Sequence, residues 1–291
     1  MKRVWFTSAT AAFPLFLIMG IVAAEPAGPS RPRVVEVSQG GIAEIRIDGA
    51  ELISVKGRLG EQTVPFYEGQ AGVFTAAIGV DLDAKPGPLK LAIQKLTETG
   101  TQKDSAITVM VREKTFAKES LSVAAQFEQF STATLERIRR EQDELNRVFT
   151  ISTPQRLWEG SFVPPVAGGV TSPFGLRRVI NGTARAPHSG VDLKAPEGTE
   201  VHAANHGRVA LCADFFFSGK SLVLDHGGGL FTMYFHLADF KVEAGTQVQK
   251  GETIGWSGMT GRVTGPHLHW GARLNGARID PFELLAKLGK P

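Results

Sequence analysis

All seven histidines of this 291-residue chain lie between positions 188 and 269. Imidazole is both a common metal ligand and a base that titrates near neutral pH, so the clustering points to chemistry there. Two spacings sharpen it. His188-Ser-Gly-Val-Asp192 sets a histidine and a carboxylate four apart, and His267-Leu-His269 sets two histidines two apart, just after Gly265-Pro266. In an extended strand residues i and i+2 share a face, about 6.7 Å apart, so His267 and His269 are expected to point into one groove. His188 and Asp192 also share a face in extended chain, and Gly190 and β-branched Val191 argue against a helix there.

Two imidazoles and one carboxylate suit Zn²⁺ and leave a fourth position open, the mark of a catalytic rather than a structural zinc site. The reading assigns His188, Asp192 and His269 as ligands of one zinc ion. A bound zinc acidifies water and polarises a carbonyl, so amide hydrolysis is the expected chemistry. A base must then take the water proton, and donors must steady the oxyanion. His267 is the expected general base and later proton donor. His236, in Tyr234-Phe-His-Leu237, is the second candidate, for the oxyanion or a share of the proton transfer. Non-haem Fe(II) oxygenases also use two histidines and a carboxylate, but that reading leaves His236 and His267 without work. His202, His206 and His226 are read as turn or edge residues, the last two because each precedes a glycine.

Strands must position most of these groups. With 33 glycines and 16 prolines the chain is rich in turns, and from Phe162 onward it reads as β structure with glycine-centred turns. Asn181-Gly182, within 179–187, reads as a flexible loop bordering the site, and Phe215-Phe-Phe217 as either a rim or ordinary packing. Residues 34–112 alternate apolar and polar with period two, as at Leu89, Leu91 and Ile93, and again at Ile107, Val109 and Val111. Asp83-Ala-Lys-Pro-Gly-Pro88 is a strong turn. About seven short strands there predict an immunoglobulin-like β-sandwich. Residues 113–160 read as a helical connector docking between the domains. Ser131 or Thr132 would cap its helix, and Leu135, Ile138, Leu145, Val148 and Phe149 would form one face. Ser152-Thr-Pro154 would stop it.

The order His-x-x-x-Asp, Tyr-x-His-Leu and Gly-Pro-His-Leu-His, over about 161–282 of a domain read as 161–291, resembles the lysostaphin-type (LytM-like) zinc endopeptidases. Ser172-Pro-Phe-Gly175 with Arg177, Ala195-Pro-Glu-Gly-Thr199, Asp225-His-Gly227 and Gly258-Met-Thr-Gly261 carry the same resemblance. It implies a compact antiparallel β domain with a long groove, zinc on His188, Asp192 and His269, and catalytic roles for His236 and His267. It also implies that the substrate is peptidoglycan, cut within its peptide stems or crosslinks. Trp270-Gly271 departs from the aromatic-Glu pair common in that family. The segment ending near 81–91 is similar to an extra domain that precedes the catalytic one in some bacterial members.

Residues 1–24 read as a signal peptide, with Lys2 and Arg3 ahead of an apolar run over 13–22 and Val22-Ala23-Ala24 suited to cleavage. Export to a periplasm, the extracellular space or the cell envelope is expected, with no stable membrane span after cleavage. Loss of Lys2 and Arg3 from the 32 basic residues leaves 30 against 29 acidic ones, too even a balance to favour nucleic acid. The single Cys212 forms no internal disulfide and reads as a small buried residue. The alternative function is a non-catalytic wall-binding regulator or activator of other hydrolases, and a protein regulator is a partner this organisation admits.

Overall fold

The structure is a computed structural model that describes residues 33–122, 130–151 and 153–289. The expected signal peptide (1–24), and Ser152 of the expected helix stop, lie outside the described residues. The fold is mainly β, and the described residues fall in one compact unit.

Among the described residues, eight strands fill 34–112: β1 (Val34–Ser38), β2 (Ile42–Asp48), β3 (Leu52–Leu59), β4 (Gln62–Pro65), β5 (Tyr67–Glu68), β6 (Val73–Gly79), β7 (Gly87–Thr97) and β8 (Gln102–Arg112). They form a five-stranded sheet in the order β1-β8-β7-β3-β4 and a three-stranded sheet in the order β2-β6-β5. Alternation explains the burial: Ile45 and Ile47 in β2, and Ile107, Val109 and Val111 in β8, turn inward, and the residues between them face outward or are only partly covered.

The stretch 113–160 departs from a purely helical connector. It opens with an exposed strand β9 (Lys118–Leu121), and its helix α1 covers only Thr132–Val148. Ser131 is the N-cap, its side chain accepting from the Thr134 amide. Leu145, Val148 and Phe149 pack against Leu211, Phe215, Val223, Phe231 and Met233. Leu135 does not join that face and is 52% exposed. The connector therefore lies along the large C-terminal sheet, because only its last two turns carry apolar residues toward a partner.

That sheet is built from β10 (Val170–Ser172), β13 (Gly190–Leu193), β20 (Leu268–Leu274), β17 (Leu230–Phe240), β16 (Gly219–Gly227), β15 (Gly207–Phe215) and β18 (Gln247–Val248), in that spatial order. Strands β14 (Glu200–His202), β19 (Thr253–Ser257) and β21 (Ala277–Ile279) pair off this path. A smaller sheet, β12-β11-β9, joins β11 (Arg177–Ile180) and β12 (Thr183–Ala184) to the strand ahead of α1. Residues 179–187 are thus largely a hairpin rather than a loop, with Asn181 (φ 49°) and Gly182 (φ 77°) at its turn. A final helix α2 (Pro281–Lys287) has Asp280 as N-cap and proline in its first turn.

The two halves share a core. Ile42 and Leu82 sit in the same buried cluster as Trp158, Phe162, Leu274 and Ile279. The expected turn at 83–88 lies beside a clamp: Arg278 pairs with Asp81 at 2.6 Å and with Asp83 at 2.9 Å.

Candidate metal centre

Strand register makes the site. Asp192 in β13 stands opposite His269 in β20, and Ser172 in β10 stands opposite Asp192 on its other side. His188 lies just before β13, its main chain tied to the 175–176 turn by two backbone hydrogen bonds of 2.8 and 3.0 Å. The three groups meet. His188 Nε2 is 3.0 Å from Asp192 Oδ1 and 2.9 Å from His269 Nδ1, which is itself 2.9 Å from the same carboxylate oxygen.

His188 Nδ1 lies 3.0 Å from the Pro173 carbonyl, which accepts its proton and leaves Nε2 as a lone pair. That lone pair, a second imidazole nitrogen and a carboxylate oxygen then aim at one point. Three such atoms so arranged can share a cation between them, and the donor set suits a borderline divalent ion. Among the described residues this is the one cluster of metal-holding geometry. Burial pushes the Asp192 carboxyl up, but the His188 and His269 imidazoles close beside it outweigh that and hold it well below the usual carboxylate range. Burial pushes His269 down, which keeps it neutral and able to donate a lone pair.

Close approach fixes one neighbour. A Cβ at Gly190 would lie 2.6 Å from both His269 Nε2 and the Trp270 carbonyl, so only glycine fits there. Phe235, opposite His269 in the β17–β20 register, stacks on its ring at 5.4 Å and 8°. Both residues escape a search by ligand type, since one has no side chain and the other no polar atom.

His267 and His236 stand beside the cluster. His267 Nδ1 is 2.9 Å from the Gly265 carbonyl, so Nε2 carries its lone pair; that atom is 3.8 Å from Asp192 Oδ1. His236 Nδ1 donates to the Thr260 carbonyl at 3.0 Å, and its ring centroid is 4.9 Å from that of His267. His236 occupies a register irregularity of β17 against β16, at φ 65°, a left-handed conformation uncommon outside glycine. Burial and the neighbouring His269 push it down to about 4. All five expected residues therefore gather around one point.

They line an open groove of ≈ 770 Å³. One wall carries Arg178, Ile180 and Arg185 with Glu119 and Leu121; the other carries Phe217, Arg262 and Phe130. Phe217 is a rim residue at 42% exposure, whereas Phe215 is buried. Arg262 lies over the rings of Phe130 and Phe217, 5.2 and 5.9 Å from their centroids.

The other histidines stay away from the cluster. His226 corrects the turn-or-edge expectation: it is fully buried within β16, with Nδ1 donating to the His206 carbonyl and Nε2 2.7 Å from the Thr232 hydroxyl. The glycine after it marks the strand's end, and two interior partners absorb its polarity. His202 ends β14 at a pairing edge. Trp270 is buried against Phe282 and Cys212 is half-buried, so neither contributes a group to the groove.

Residues 186–281 match the profile described as Peptidase family M23. Over 115 residues the chain is 39% identical to the peptidoglycan DD-endopeptidase ShyA of Vibrio cholerae, covering 39% of this chain and 27% of that protein. Over 122 residues it is 41% identical to the DD-carboxypeptidase/endopeptidase Mpg of Neisseria meningitidis, covering 42% and 28%. The chain thus spans little more than a quarter of these curated relatives. A crystal structure of a Pseudomonas aeruginosa protein assigned to peptidase M23 is similar throughout, at 30% identity and TM-score 0.68, covering 85% of this chain and 94% of that one.

Proposed function

Because this chain belongs to peptidase family M23, we propose that it is a zinc-dependent endopeptidase hydrolysing peptide bonds in peptidoglycan stems or crosslinks. The observation that carries the reading is the triangle of His188 Nε2, His269 Nδ1 and Asp192 Oδ1, each 2.9–3.0 Å from the next, at the floor of an open groove. Their donor set fits zinc, and the two bases beside it have work in hydrolysis that an Fe(II) oxygenase would not give them. The relatives' names support peptidoglycan as the substrate, and a wall substrate favours an exported, envelope-located protein.

Zinc held by these three residues supplies Lewis acidity to the scissile carbonyl and acidity to a water molecule. His267 accepts the water proton at Nε2, because Nδ1 already donates to Gly265, and later returns it to the leaving amine. His236, buried and neutral with Nδ1 committed to Thr260, offers its second nitrogen to the oxyanion or to the same proton transfer. The walls hold the peptide extended between the β11–β12 hairpin and the Phe217–Arg262 rim.

Residues 34–112 read as immunoglobulin-like, ahead of a connector over 113–160 and a peptidase domain over 161–291. The support is strand order: β3, β7 and β8 correspond to the C, F and G strands with β4 added, and β2, β6 and β5 to B, E and D.

Digestion of purified peptidoglycan by the protein, with and without a chelator, tests the function by mass spectrometry. Chelator-sensitive release of fragments cut within the peptides is the expected result and names the bond. No cleavage by zinc-loaded protein sinks the enzyme and favours a binding or activating role.

A further inference from the structure

We propose that Glu119 and Arg178 are positioning residues for the metal centre, so that strand β9, ahead of the helix and outside the matched stretch 186–281, is part of the peptidase site. The inference rests on the zinc reading of that site.

The contacts form a line. Strand β9 pairs in parallel with β11 over four residues, placing Glu119 beside Arg178. Arg178 Nε donates to Glu119 Oε2 at 3.0 Å, and Arg178 Nη2 donates to Ser172 Oγ at 3.2 Å. Ser172 is 7% exposed, and its Oγ lies 3.3 Å from His188 Nδ1. His188 carries one apex of the donor triangle on its opposite nitrogen. One planar guanidinium thus spans a carboxylate on the connector and the hydroxyl beside a ligand's ring.

Geometry decides what this arrangement does. Two donors of one rigid fork, each with its own acceptor, leave the guanidinium a single orientation. Ser172, held as an acceptor by Arg178, flanks the His188 ring on the edge away from the donor triangle and resists its rotation. Groups that orient a ligating histidine in this way are worth about 10- to 100-fold in metal affinity or activity. As a stabilising contact the pair is weak: the Arg178 and Glu119 side chains are 35% and 43% exposed, and ion pairs so exposed contribute little to folding. A positioning role and a merely structural one therefore predict different readouts.

The test uses the full chain and reads zinc affinity by competition with a chromophoric chelator, alongside the unfolding midpoint of the zinc-free protein. Glu119→Ala removes the acceptor. Arg178→Lys keeps the charge but replaces the fork by a point charge that cannot span both partners. Ser172→Ala removes the last link. Each is expected to weaken zinc binding by about 10-fold, with the zinc-free midpoint little changed. Lys118→Ala, exposed in the same strand and outside the line of contacts, is expected to match wild type. Unchanged zinc affinity in Glu119→Ala and Arg178→Lys overturns the proposal. So does an equal weakening in Lys118→Ala, which would assign the effect to strand pairing alone. A wild-type chain that takes up no zinc overturns this inference together with the metal reading, whereas zinc binding without wall cleavage removes only the peptidoglycan substrate.

Discussion

His236 sits at φ 65° while its amide donates to the Ser218 carbonyl at 2.9 Å and its Nδ1 to Thr260 at 3.0 Å. A left-handed histidine costs on the order of 1 kcal/mol or more, and such strain collects where a side chain must be aimed. The five residues divide into two kinds of failure. His188→Ala, Asp192→Ala and His269→Ala are expected to lose both bound zinc and activity, because each removes a corner of the donor triangle. His267→Ala and His236→Ala should keep zinc, measured by elemental analysis, yet lose turnover by about 10²-fold or more. Zinc loss in the His267 variant with retention in the His269 one would reverse their assignment. Gly190→Ala belongs with the first group although it donates nothing. Its methyl would press on His269 and the Trp270 carbonyl at 2.6 Å, costing about 1–3 kcal/mol of stability and the metal with it.

Strand β16 carries the clearest pH consequence among the elements. Burial holds His226 down to about 4, against about 6.5 in an unfolded chain. The unfolded chain therefore binds the extra proton first as pH falls. The stabilisation is complete above about pH 6.5 and is lost as pH drops through the window to about 4, a change on the order of 3 kcal/mol. Denaturant unfolding at pH 7 and pH 4.5 should show that loss, and His226→Gln should flatten it; equal slopes in both proteins would sink the attribution. His226 also shows where reading by pattern stops. A histidine before glycine looks like a turn, and only the pairing of β16 with β15 and β17 on either side reveals it as interior. The order and spacing of His188, Asp192, His267 and His269 were legible because each pair lies within five residues of sequence, on or just before one strand. The register irregularity that aims His236 has no signature in Tyr234-Phe-His-Leu237. Nor has β9, since Lys-Glu-Ser-Leu lacks alternation and is extended only because β11 supplies its partner. The α1 cap could be read from Ser131, but Leu135 was grouped with a face that has no partner at that turn.

At the scale of the whole molecule, the halves read as separate domains by composition are joined by buried side chains and charged clamps. Arg278 donates from its main chain and side chain to Asp81 and reaches Asp83, and Arg177 meets Asp83 at 2.6 Å. Asp81 is pushed up by burial, but its bonds to Arg278 outweigh that and hold it below the usual range. Arg278→Ala is expected to cost about 2 kcal/mol, as for a charged hydrogen-bonded group losing its partner. The check is a single thermal transition shifted down as a unit; two separated transitions would show that the halves unfold independently. Cutting the chain at 161 would strip Ile42 and Leu82 from the core and β9 from the groove wall, so silence from such a fragment would not speak for the intact protein.

Helix α2 closes on strand β2: Ile42 donates its amide to Glu283 at 3.2 Å, and Lys287 donates to the Ile42 carbonyl at 3.1 Å, across 245 residues of sequence. A ribosome delivers residue 42 long before residue 287. The first sandwich must therefore wait, its edge uncapped, until the chain through residue 287 is in place. Closure of so distant a contact is slow, and the waiting edge is the place where a chaperone or a protease would find this protein before it has closed.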